Sequence, residues 1–132
     1  EKAELPSTAY RLMRVPHHEV ATNLAQADFA INPVKPVPTK RLCTSIKDGE
    51  YWACGLPVVI SPNISDDSEI IANSNTGAIC DFTRRESCIA AIKKIDKLLT
   101  RNRPKLSANI RALAEHHRNF QNATNIYRDV YG

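Results

Sequence analysis

The stretch Ser45-Ile46-Lys47-Asp48-Gly49-Glu50-Tyr51-Trp52-Ala53-Cys54-Gly55-Leu56-Pro57-Val58-Val59-Ile60-Ser61 decides the fold. Its first part reads as a helix running from near Ser45 to about Cys54. Gly55 then stands where a left-handed residue normally closes a helix. Pro57 to Ser61 follows as a β-branched run without polar alternation, the pattern of a strand buried on both faces, as strands of parallel sheets are. Helix, glycine turn and buried strand in this order form half of a βαβ unit.

The same alternation continues outward. Upstream, Asp28-Phe29-Ala30-Ile31-Asn32 is a short apolar run closed by Pro33, again a buried strand. Pro33 to Thr39 holds three prolines, which remove backbone donors and fix φ, so a loop is expected there. Tyr10 to Val15 is read as a further strand ended by Pro16, and His18 to Gln26 as a helix with Val20 and Leu24 on one face. Downstream, Asp66-Asp67-Ser68-Glu69 resembles a capping box that opens a short helix through Ile70 and Ile71. Gly77 to Cys80 is another buried strand. Beyond Thr83 the pattern becomes helical. Ile89, Ile92, Ile95 and Leu99 mark one helix, and a break falls at Arg101 to Pro104. Ile110, Leu113 and Ala114 mark the next, and Phe120, Thr124, Tyr127 and Tyr131 the last.

The expected fold class is α/β, a Rossmann-like three-layer arrangement on a parallel sheet, built from right-handed βαβ units and followed by C-terminal helices. The 132 residues suit one domain, with residues 1–82 as the α/β core and 83–132 as a helical segment. Four strands are few for an open sheet of this class, and the chain starts without Met, so the first strands are expected upstream of Glu1.

Composition narrows the function classes only a little. The chain is 42% hydrophobic and 24% charged, in the globular range, and no apolar run approaches the roughly 20 residues of a membrane span. A net charge of +4 fits anionic partners without choosing among them. Nucleic acid is not expected, because basic and aromatic residues are not interleaved and no reading helix is recognisable. Cys43, Cys54, Cys80 and Cys88 form no zinc-spaced set and are expected to be free thiols. The pairs His17-His18 and His116-His117 diverge on a helix, so no metal site is expected.

In sheets of this class, ligands bind at the carboxyl ends of strands, where helix N-termini point. The helix opening at Ser45 is therefore the candidate site. Thr44 or Ser45 could cap it, leaving the amides of Ile46 and Lys47 to face an anion. Lys47 and Glu50, three apart, share a face. A phosphate could meet Lys47 while Glu50 accepts two hydroxyls of a ribose diol. The plainer alternative is a solvent-exposed intrahelical ion pair. Lys35, Lys40 and Arg41 in the preceding loop are solvated charges or extra phosphate contacts.

The run Lys47 to Val59 resembles the donor-site segment of retaining glycosyltransferases of family 4, whose GT-B fold places two Rossmann-like domains across a cleft. The family pattern Lys-x-x-Glu-Tyr-x-Ala-Cys-Gly-x-Pro-Val is met at every fixed place. The resemblance extends upstream through His18-Glu19, Ala27-Asp28 and Asn32-Pro33. It extends downstream through Asp67-Ser68-Glu69-Ile70-Ile71 and Asn75-Thr76-Gly77, covering roughly Val15 to Cys80. It implies a donor-binding domain for a nucleotide-diphosphate sugar such as a UDP- or GDP-hexose, with no metal or other cofactor. Glu50 would hydrogen-bond the ribose, Thr44, Ser45 and Ile46 would meet the diphosphate through backbone amides, and Lys47 would sit beside it. Lys40 and Tyr51 are secondary candidates, Tyr51 at the pocket edge. Gly55 and Pro57 would be structural. Many members carry a Glu eight positions before the ribose-binding Glu, in contact with the donor sugar; here that position is Leu42.

Catalytic groups and the glycan or lipid-linked acceptor site would belong to an N-terminal domain outside this chain, leaving the fragment inactive alone. The resemblance implies a cytoplasmic protein in polysaccharide or glycolipid synthesis. Its basic last helices (Arg101, Arg103, Lys105, Arg111, Arg118) are read as a solvated face, with peripheral contact at the inner membrane surface as the alternative. Apolar residues around Tyr127 and Tyr131 would be an interface to the other domain. The competing readings are a nucleotide-sugar 2-epimerase-like protein and a non-catalytic GT-B-like interaction module.

Overall fold

The computed structural model describes residues 5–132. Three short strands, β1 (Ala30–Asn32), β2 (Val58–Ile60) and β3 (Gly77–Ile79), form a parallel sheet in the order β1-β2-β3. Ala30 is in register with Val58 and Val58 with Gly77. The helices are α1 (Val20–Leu24), α2 (Ile46–Ala53), α3 (Asp67–Ser74), α4 (Arg85–Leu99), α5 (Arg103–His117) and α6 (Phe120–Tyr131). The α/β class and the parallel sheet are therefore as the sequence indicates.

Tyr10 to Val15 is not a strand: among the described residues the sheet holds three. The segment is irregular and mostly exposed, Leu12 at 93%, and it has no neighbouring strand to satisfy its backbone. Extended residues become a strand only when a ladder partner is available. The His18 to Gln26 helix begins as a 3-10 turn at His17–Glu19 before continuing as α1. The proline loop likewise ends in a 3-10 stretch, Pro38–Leu42.

Alternation along the strands gives the sheet two distinct faces. Asn32 reaches α2 through its side chain, and a Cβ on Gly77 would collide with the Val58 carbonyl and with Ile71 of α3, so α2 and α3 cover one face. Ile31, Val59 and Cys80 point the other way, toward α4. Helix α5 packs on the outside of α2. One core joins the strands to both the early and the late helices: Trp52, Val58, Ile60, Ile71, Ile95, Leu98, Leu106 and Ile110 belong to a single cluster. At about 1.5–3 kcal/mol for each fully buried large side chain, the residues beyond 83 carry a share of the same core.

Gly55 closes α2 with φ +74°, and a Cβ there would run into Ser107 of α5. The turn thus needs glycine for its left-handed backbone and for the close approach of α5. In α4 the inward face is Ala91, Ile95 and Leu98, whereas Ile89 and Ile92 are largely exposed. Ile92 instead lines an open groove beside the sheet. Helix α5 starts where the break was read, with the Asn102 side chain accepting from the Lys105 amide at 3.0 Å. Helix α6 has no buried residue. Among the described residues no helix is long and apolar enough to cross a membrane.

Candidate functional site

The carboxyl end of β1 delivers Asn32 to the start of α2. Its Nδ2 donates to Ser45 Oγ and to Asp48 Oδ1, each at 2.8 Å. Ser45 is the N-cap by position, with extended backbone angles, yet its side chain caps no helix amide. That corrects the capping expected of Thr44 or Ser45: the Ser45 hydroxyl serves Asn32, and the Thr44 hydroxyl pairs with Ser65 Oγ at 3.2 Å. The Ser45 backbone N–H donates to Asp67 Oδ2 at 3.0 Å. The amides of Ile46 and Lys47 have no protein acceptor among the described residues, so two donors at the positive end of α2 remain open to a ligand.

Beside these amides lies a hollow of about 430 Å³ lined by Thr44, Ser45, Ile46, Gly49, Glu50, Ala53, Ala114 and Arg118. The structure thus brings Thr44, Ser45, Ile46 and Glu50 to one concavity, in the size range of small-molecule sites. Lys47 is not on its wall. It is turned to Glu50, with Nζ 2.9 Å from Oε2, at the exposed surface. The hydrogen bond and charge of Glu50 hold the Lys47 ammonium above its ordinary range. Tyr51 is half-buried and packs on the core. Lys40 contributes its carbonyl to the Ser65 amide at 2.9 Å and does not line the hollow. Leu42 is 90% exposed.

Arg118, at the C-terminal end of α5, is the principal addition to the site. Its Nη2 lies 2.5 Å from Asp67 Oδ1 and 2.6 Å from Asp66 Oδ1, and its guanidinium stands 5.5 Å from the Trp52 ring centre. Its Nε has no hydrogen-bond partner. Read from sequence, Arg118 is one basic residue in a helical face. Only the packing of α5 on α2 carries it to the start of α2 and α3, and no local pattern announces that. Arg103 is also engaged, with Asp28 at 3.0 Å, so two of the five arginines and lysines assigned to a solvated face are ion-paired. The capping box expected at Asp66 to Glu69 is not formed either. Asp66 makes no cap bond, because both it and Asp67 are drawn to Arg118, while Ser68 Oγ accepts from the Ile64 amide at 3.2 Å.

Asp48 and Asp67 are both fully buried. Burial pushes the Asp48 carboxyl up to about 6, with Asp67 adding to the rise and Asn32, Ser45 and Arg118 opposing it. Its Oδ2 has no partner. Burial also disfavours ionisation of Asp66, but Arg118 outweighs it and holds that carboxyl below its usual range. Two buried carboxylates therefore already lie close to the start of α2, and they partly balance the positive helix end. Among the described residues no three His, Cys, Asp or Glu side chains are grouped as metal ligands.

A second, smaller hollow of about 280 Å³ lies at the carboxyl ends of the strands, between the Pro33–Pro36 loop, Ser61-Pro62 and Cys80 to Thr83. No family model, curated protein or solved structure matches the chain at a significant level.

Proposed function

We propose that this chain is the donor-binding domain of a GT-B glycosyltransferase of the family 4 type, holding a nucleotide-diphosphate sugar at the start of α2. The observation that carries the reading is the coincidence of the Lys47 to Val59 block with an α2 start whose Ile46 and Lys47 amides are open beside the hollow. The diphosphate would take those amides, with Arg118 on the wall of the hollow beside it. Glu50 Oε1 would accept from the ribose while Lys47 continues to hold Oε2. Retaining hexosyl transfer would require an acceptor domain outside this chain, which by itself binds donor and does not turn over. Such a protein would act in polysaccharide or glycolipid synthesis on the cytoplasmic side. The acceptor would be a glycan or a lipid-linked saccharide, with peripheral membrane contact through the remaining basic residues Arg101, Lys105 and Arg111.

One observation favours the non-catalytic alternative, a GT-B-like interaction module. Asp67 occupies the Ser45 amide and Asp48 is buried in the same turn of α2, so the anion site is partly filled by the protein itself. Amide-resolved NMR of the full 132-residue chain with UDP and GDP separates the two. Donor binding predicts an affinity of about millimolar, with shifts at Thr44 to Lys47 and Arg118 that uridine alone does not cause. Glu50→Ala should weaken binding about tenfold or more, the loss of hydrogen bonds to a charged acceptor. An unchanged spectrum at saturating concentrations of both nucleotides would leave the interaction module as the better reading.

A further inference from the structure

We infer that Cys80 and Cys88 form a reversible dithiol–disulfide pair, a redox modification site fastening the start of α4 to the end of β3. Cys80 follows the last residue of β3, and its amide is anchored to the Ile60 carbonyl at 2.8 Å. Cys88 lies in the first turns of α4, whose preceding loop is braced by Ser87 Oγ accepting from the Asp81 amide at 2.8 Å. The two Sγ atoms are 3.6 Å apart, the Cys80 thiol donating to Cys88. Both ends are held by independent contacts and the sulfurs already touch at 3.6 Å, so the bond of about 2.05 Å joins two atoms that the packing of α4 on β3 has brought together.

Access differs between the two. Cys80 is buried and Cys88 partly exposed, and both line an open apolar groove of about 370 Å³ with Phe29, Ile31, Val59 and Ile92. Burial also pushes the Cys80 thiol up. A small neutral peroxide can enter the groove. Cys88, as thiolate, attacks one peroxide oxygen; the O–O bond breaks, and the leaving hydroxide takes up a proton to become water. The resulting sulfenic acid on Cys88 is attacked by Cys80 sulfur. The S–O bond breaks, and the departing hydroxide combines with the Cys80 proton as a second water. Two thiols are oxidised by two electrons, and one peroxide is reduced to two waters. Cys80 also borders the hollow at the strand carboxyl ends, so the bond would stiffen that rim.

The test is oxidation of the reduced full chain, carried out in a Cys43→Ser background because Cys43 is exposed. Stoichiometric hydrogen peroxide is added, followed by alkylation and peptide mapping without reductant. The expected result is a linked Cys80–Cys88 peptide, a mass loss of about 2 Da per chain, and full reversal by dithiothreitol. In Cys80→Ser, Cys88 should instead accumulate as a dimedone-reactive sulfenic acid. Should that variant fold poorly, the map of the Cys43→Ser protein decides alone. Recovery of Cys80 and Cys88 as separate alkylated or over-oxidised peptides, or of links only to Cys54 or between chains, would overturn the pair.

Discussion

Arg118 holds a position that no neutral side chain can fill. Asp67 is fully buried and has two kinds of partner, the Ser45 amide and the Arg118 guanidinium. Removing the guanidinium leaves a buried carboxylate without its counter-charge, which costs about 3–5 kcal/mol in comparable settings. Arg118→Met is therefore expected to lower unfolding stability in urea by about that amount. Pairing it with Asp67→Asn should recover part of the loss, because the uncompensated charge goes too. A loss below about 1 kcal/mol in the single variant would show that water replaces the cation at no great cost.

Asp48 gives a pH dependence with a definite sign. Its carboxyl is raised to about 6 in the folded chain, against about 3.9 in an unfolded one. Between these values the folded state holds a proton that the unfolded state has released. Stability thus falls as pH rises from about 4 to about 6 and is level above, with at most about 3 kcal/mol involved. Asp66, held low by Arg118, acts in the opposite direction but below this window. Asp48→Asn keeps the shape and removes the titration. It should flatten the profile between pH 4 and pH 6 and equal or exceed the wild type near pH 8. A stability profile unchanged by the substitution would assign the slope to another group.

Among the elements, α6 is the least committed. No residue of it is buried, and Phe120, Tyr127, Val130 and Tyr131 are each at least 65% exposed. Its internal support is local, the Tyr127–Tyr131 stack at 5.9 Å and the Asn119 cap. A helix of this length is marginal without tertiary packing. Truncation after Asn119 should therefore change the stability of the remainder by less than about 1 kcal/mol in urea unfolding. A larger loss would mean that α6 packs on the rest of the chain in solution. Helix α5 contrasts with it: Leu106 and Ile110 enter the core, and Arg118 at its end closes the site.

At the scale of the whole molecule, legibility followed the range of the interactions. Among the described residues the three strands were readable because each is a short apolar run bounded by turn residues. Only β2 is buried along its whole length, however; Ile31 of β1 is 52% exposed, so burial on both faces, expected there from the apolar run, is not found. Tyr10 to Val15 has similar residues but no ladder partner, and partnership is not a property of the segment itself. The helix opening at Ser45, its closure at Gly55 and the Lys47–Glu50 pair were readable too, since each depends on contacts within a turn or two. The helical spacing of Ile89, Ile92, Ile95 and Leu99 announced α4, but which of them are covered, Ile95 and not Ile92, depends on what packs beneath the helix.

The sequence by itself determined the α/β class, the turn at Gly55 and the cluster of Thr44, Ser45, Ile46 and Glu50 at one helix start, because local backbone preferences and helical periodicity are written in neighbouring residues. Tertiary structure alone decided that Arg118, more than fifty positions from Asp66 and Asp67, closes that site. It also decided that Ser45 serves Asn32 instead of its own helix, and that Cys80 and Cys88 touch. In each case a buried polar group takes whichever partner the packing of distant elements supplies, and that choice is made only when the core has formed.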